Sequence, residues 1–170
     1  MSKNHRLVFI SLLVAQALVL NIFERMIPVP FITPGAKLGL ANIITVVAIY
    51  MLTLKEATLI VVVRVVLATF LGGNLSGFFY SISGGLLSLI AMYIVVKFGK
   101  DAVSIIGVSI IGAVFHNIGQ IIIAAAVIQN LKIAAYLPVL FIAGIGTGIF
   151  VGITAKQLIV YLKRFHFSNV

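Results

Sequence analysis

The sequence predicts an all-α integral membrane protein with six transmembrane helices, forming a single transmembrane domain over residues 1–170. Two observations carry this expectation. Hydrophobic residues make up 62% of the chain and charged residues only 9%, more apolar surface than a soluble domain of this length could hide. The apolar runs are also continuous rather than alternating, which excludes a β-barrel in practice. A spanning helix needs about 20 mostly apolar residues, so the chain has room for about six with short connections.

The N-terminus has a basic start, Lys3 and Arg6, followed by an apolar run, as in a signal peptide. That run ends in NIFERM without a small-residue cleavage site, so it reads as a retained first helix over 7–23. The next stretch, 27–43, reads IPVPFITPGAKLGLANI. Pro28, Pro30 and Pro34 each fix φ and lack an N–H donor, so no helix continues through them. Pro34-Gly35 marks a turn. From Ala36 a second helix is expected over 37–54, with Lys37 in its first turn and Asn42 further along. The remaining helices are expected over 56–71, 76–97, 102–128 and 135–163. The connections at 53–55 and at Gly72-Gly73-Asn74 are short, which makes neighbouring helices antiparallel hairpins. The second and third runs are short for a full span.

Orientation follows from the basic residues. One side collects Lys3, Arg6, Lys55, Lys97, Lys100, Lys156, Lys163 and Arg164, and the other only Arg25, Lys37 and Lys132. Both termini are therefore expected in the cytoplasm, with the proline-rich loop facing out. The net charge of +9 is spread singly over the ends of apolar runs. That pattern fits topology signals and anionic lipid, and argues against nucleic acid. Zero cysteines and three acidic residues, Glu24, Glu56 and Asp101, remove disulfides, thiolate metal sites and a carboxylate cage. No cofactor is expected.

Small residues recur at packing intervals: Gly144, Gly148 and Gly152 on the sixth helix, and Gly77, Ser81 and Gly85 on the fourth. These are expected to pack the protein's own bundle. Ser11 and Ala15 on the first helix could do the same or meet a partner subunit.

Polar groups at membrane depth are costly and usually face a cavity or one another. They are Asn21, Asn42, Arg64, His116, Asn117 and Gln120, with Asn74 at a helix end. They lie in the middle and outer depths, as a pocket opening outward requires. His116 and Gln120 share a face with Gly112, and Asn117 lies on the adjoining stripe. With no acidic partner nearby in sequence, His116 is not read as a metal ligand. Arg64 needs an internal acceptor: helix carbonyls, the amides of Asn42 and Asn117, or an anionic or carbonyl-bearing ligand. Lys37, Arg25 and three helix N-termini converge on the outer face and favour an anionic or strongly polar molecule. The candidate substrate-binding set is thus Lys37, Asn42, Arg64, Asn74, His116, Asn117 and Gln120, with no catalytic residue.

The segments ERMIPVPFITPGAKLGLANI, VVRVVLATFLGG, SGGLLSLIAM and GVSIIGAVFHNIGQ resemble a small bacterial membrane family, the Gx transporters. An older label for that family is heptaprenyl diphosphate synthase component I. PGAKLGLAN and HNxGQ are the most specific parts of the resemblance, which covers most of the chain. The family is similar to the S components of energy-coupling factor (ECF) transporters. The resemblance implies six helices in a bacterial cell membrane, cytoplasmic termini and an outer pocket capped by the loop after helix one. It also implies a transmembrane coupling subunit, met by small residues on helix one (here Ser11 and Ala15), and two ATPases.

The expected function is a substrate-binding transport subunit capturing a small organic molecule, anionic or quinone- or flavin-like. The alternative is a non-transporting scaffold for an extracytosolic redox or isoprenoid-related complex. A membrane enzyme with His116 as general base ranks below both, since it lacks an acidic or nucleophilic companion. A prenyl diphosphate synthase needs clustered aspartates for magnesium and diphosphate, and this chain has one, Asp101.

Overall fold

The structure, a computed structural model, describes residues 3–26, 39–71, 75–99 and 102–167, with the side chains of residues 25 and 165–167 excepted. Six α-helices follow in order: α1 (Lys3–Met26), α2 (Asn42–Met51), α3 (Leu54–Phe70), α4 (Leu75–Gly99), α5 (Ile105–Ile128) and α6 (Leu137–Phe167). A 3-10 turn, Leu131–Tyr136, leads into α6. Among the described residues, four segments are long and apolar enough to cross a membrane: Lys3–Glu24, Leu75–Gly99, Ile105–Ile128 and Leu131–Arg164. Among the described residues there is no strand.

The second helix differs from the sequence expectation. It begins at Asn42, not at residue 37. Gly39 has φ +83°, a left-handed conformation that glycine adopts without steric cost and that ends helical continuity. A turn follows, with Asn42 N–H donating to the Gly39 carbonyl at 2.8 Å. The expected first turn carrying Lys37 is therefore not the start of this helix, and Lys37 itself lies outside the described residues. The fifth helix begins at Ile105 rather than 102, because Ser104 caps it by accepting from Gly107 N–H at 3.1 Å.

With 10 residues, α2 is only about 15 Å long, half the hydrocarbon thickness of about 30 Å. Its residues Asn42 to Ala48 are buried without a break, and it touches each of the other five helices. It is the axis of the bundle. Val46 and Val47 pack there with Ile60 and Val61 of α3, Leu89 and Met92 of α4, Val108 of α5 and Val151 of α6. On the outside, α5 packs between α4 and α6, while α1 lies against α3 and α2.

Glycines set the close crossings. A Cβ on Gly119 would stand 2.8 Å from the Gly84 Cα, and one on Gly148 would stand 2.6 Å from the Ile110 Cα. The small-residue series on α6 thus packs against α5, as Gly85 of α4 packs against α3. This is how helices associate in lipid, where tails as apolar as leucine leave packing as the driving force. On α1, Ile10, Leu13 and Ala17 are buried, whereas Ser11 and Ala15 are exposed. At the basic end of the bundle, Arg6 Nη2 donates to Glu56 Oε2 at 2.8 Å. Glu56 also accepts from Thr53 N–H at 2.9 Å, capping α3.

Gly148→Ala and Gly119→Ala should each destabilise the bundle by about 1–3 kcal/mol, through forced backbone separation. Gly146, which has no atom within 4 Å of a new Cβ, should accept alanine without loss. Thermal unfolding of the three variants in one detergent checks this; equal midpoints would refute the packing account.

Candidate functional site

The site is built where α1 ends and α2 begins. Along α1 the buried positions Ile10, Leu13, Ala17, Asn21 and Glu24 follow a helical repeat of three and four, so one face enters the bundle. Glu24 ends that stripe and is only 4% exposed. Its Oε1 accepts the N–H of Gly39, bridging α1 to the entry of α2. The left-handed Gly39 brings its Cα close to two polar side chains. A Cβ there would lie 3.1 Å from Asn42 Nδ2 and 3.6 Å from His116 Cδ2.

Two adjacent glycines on α4 make the remaining room. A Cβ on Gly84 would lie 2.9 Å from His116 Nδ1, and one on Gly85 would lie 3.3 Å from Arg64 Nη2. His116 of α5 and Arg64 of α3 thus meet adjoining faces of α4, each over a position without a side chain. His116 Nε2 pairs with Gln120 Nε2 at 3.1 Å along α5, as their four-residue spacing allows.

Arg64 is 3% exposed, and the Glu24 carboxylate acts on it electrostatically. The sequence expectation offered Arg64 carbonyls, amides or a ligand; the charge that answers it comes from the end of α1. Glu24 was missed as a site residue because a carboxylate closing an apolar run reads as an interface residue. Its register with Leu13, Ala17 and Asn21 was the available signal.

Several polar atoms of this region have no hydrogen-bond partner among the described residues. They include Arg64 Nε, Asn21 Oδ1, Thr45 Oγ1 and both side-chain atoms of Asn42. A buried polar group left in that state costs about 1–3 kcal/mol. The Asn42 amide, 3% exposed, therefore offers its NH2 donors and its carbonyl acceptor together.

Of the expected site residues, the structure brings Asn42, Arg64, His116 and Gln120 into one region. Asn117 turns away from them: its Nδ2 donates to the Leu140 carbonyl at 2.9 Å, joining α5 to α6. Lys37 and Asn74 lie outside the described residues. Among the described residues no group of three or more His, Cys, Asp or Glu could hold a metal ion. Three cavities lined by described residues lie elsewhere, of about 430, 410 and 180 Å³.

Glu24 and Arg64 are both buried and interact electrostatically, and coupled charges of this kind contribute about 0.5–3 kcal/mol. Glu24→Gln is expected to lose stability on that scale, and Glu24→Gln/Arg64→Met to recover most of it. Unfolding of the two variants by added SDS measures this coupling. Equal losses in both would show that Glu24 does not serve Arg64.

The sequence matches, over residues 13–158, the family described as heptaprenyl diphosphate synthase component I. No curated protein matches the sequence. Among solved structures, the fold is similar to the S component of a bacterial ECF transporter, with a TM-score of 0.65 and 24% identity. That similarity covers 99% of this chain and 98% of the other. With six helices in the expected order, an S-component-like bundle and a family match over most of its length, the chain belongs to the heptaprenyl diphosphate synthase component I family.

Proposed function

We propose that this protein is the substrate-capturing membrane subunit of a transporter, binding a small organic molecule at the region shared by Glu24, Asn42, Arg64, His116 and Gln120. The observation that carries the proposal is the Asn42 amide, buried with neither donor nor acceptor used among the described residues. Buried amides are normally satisfied, and a ligand edge with an adjacent acceptor and donor would satisfy this one. The S-component fold of the structural neighbour supports the same reading.

The charge balance refines the substrate. Glu24 offsets the positive charge of Arg64, so the region does not present a bare cation to an anion. Of the classes expected from sequence, this favours a neutral, hydrogen-bonding quinone- or flavin-like molecule. Lys37 and Asn74 belong to the proposed set on their sequence positions, beside Gly39 and the start of α4. Asn117 holds α6 in place behind His116.

The basic residues bias the opposite end of the bundle, where α1 starts and α6 ends, toward the cytoplasm. The site then faces outward from a bacterial cell membrane. There is no Walker motif in the sequence, so energy comes from partners or gradients. The proposed partners are a transmembrane coupling subunit, meeting the exposed Ser11 and Ala15 of α1, and its ATPases.

Native mass spectrometry of the gently solubilised protein should show a co-purifying small molecule of defined mass. Its occupancy should fall about tenfold or more in Arg64→Ala and in His116→Ala, the effect of losing about 1.4 kcal/mol of binding. Unchanged occupancy in both variants would overturn the site. Protein recovered with lipid alone, or with a redox partner, would favour the scaffold.

A further inference from the structure

A second feature, independent of the polar region above, lies at the opposite end of the bundle. There the start of α5 and the last turns of α6 line an open cavity of about 430 Å³. Its polar lining is Lys156, Gln157, Tyr161 and Arg164, and its apolar lining is Ile106, Ile153 and Val160. The α6 residues fall at 153, 157, 160 and 164, one helical stripe, with Lys156 and Tyr161 beside it.

Depth gives the cavity its meaning. Counting about 1.5 Å per residue from Leu137, where α6 begins, a hydrocarbon layer of about 30 Å ends near Lys156. Ile153 and Ile106 then lie at acyl-chain level, and Arg164 lies about 12 Å beyond Lys156 along the helix. The cavity is therefore apolar at its membrane side and cationic at its water side. Lys156 and Arg164 are exposed, and their long side chains can converge on the intervening turns near Gln157 and Tyr161. Among the described residues no carboxylate lines the cavity.

We propose that this cavity is a binding site for an anionic phospholipid, with the headgroup phosphate held between Lys156 and Arg164 and an acyl chain against Ile106, Ile153 and Val160. The occupant follows from charge complementarity and from the order of the two linings across the interface. Guanidinium groups match phosphate oxygens in a fork, and basic recesses between helices on the cytoplasmic side suit anionic headgroups. A soluble anion would leave the isoleucine wall unused, whereas a zwitterionic lipid would bring a second cation to Lys156 and Arg164.

The full-length protein in mixed micelles with equimolar phosphatidylglycerol and phosphatidylcholine is the test, read by native mass spectrometry. One retained phosphatidylglycerol is expected. Lys156→Ala/Arg164→Ala should reduce it about tenfold, and Ile153→Trp, which fills the apolar side without changing charge, should also reduce it severalfold. Lys163→Ala removes a neighbouring cation that does not line the cavity, and should change retention less than about twofold. Equal retention of phosphatidylcholine, equal loss in Lys163→Ala, or displacement of the lipid by millimolar inorganic phosphate would each overturn the proposal.

Discussion

A guanidinium held away from water is the constraint on which the rest of this bundle depends. Moving such a charge into a low-dielectric interior costs several kcal/mol even after relaxation, and a partner must compensate. Arg64 sits 3% exposed on α3, in a chain with only three acidic residues. The compensating carboxylate, Glu24, comes from α1, which fixes how deep the end of α1 must lie. The same carboxylate takes the Gly39 N–H, so the entry to α2 is tied to the same point. The Glu24 carboxylate thus ties α1 to the entry of α2 and acts electrostatically on Arg64 of α3.

The short α2 makes sense in that setting. A helix enclosed by five neighbours does not have to meet lipid at either end, so it can be about half a span long. Starting it late, at Asn42, puts Asn42 and Thr45 within the bundle instead of at its surface. The opposing elements yield room rather than charge: Gly84 and Gly85 on α4 accommodate His116 and Arg64. The outcome is a polar wall on a tightly crossed frame, in which α4, α5 and α6 meet through backbone contact. Rigid support of this kind holds binding groups in place without a ligand to order them.

Most of the fold was legible in the sequence, because long apolar runs and short turns each have one dominant physical cause. Part of the site was legible too. The four-residue spacing of His116 and Gln120 placed both on one face, and the cost of an intramembrane Arg64 demanded a partner. Sequence did not separate Asn117 from its neighbours, since a residue one position along is rotated by about 100° and its partner, the Leu140 carbonyl, lies on another helix. The start of α2 was misplaced for a related reason. Local propensity in Ala-Lys-Leu favours helix, but a left-handed glycine whose N–H bonds to a carboxylate 15 residues earlier is a tertiary choice. Glu24 was hidden because its role depends on Arg64, 40 positions away.

The distribution of carboxylates also bears on the word synthase in the family's description. Condensing prenyl diphosphates calls for several carboxylates around magnesium and two diphosphates. Here Glu24 is engaged with Gly39 and Arg64, and Glu56 is engaged with Arg6 and Thr53. Diverting Glu24 to a metal would strand Arg64, and diverting Glu56 would uncap α3. Asp101 alone could not assemble such a centre. The two acids among the described residues, Glu24 and Glu56, hold helices together, while the buried Asn42 amide has no partner among those residues. That division of labour is the physical argument behind the proposed capture role.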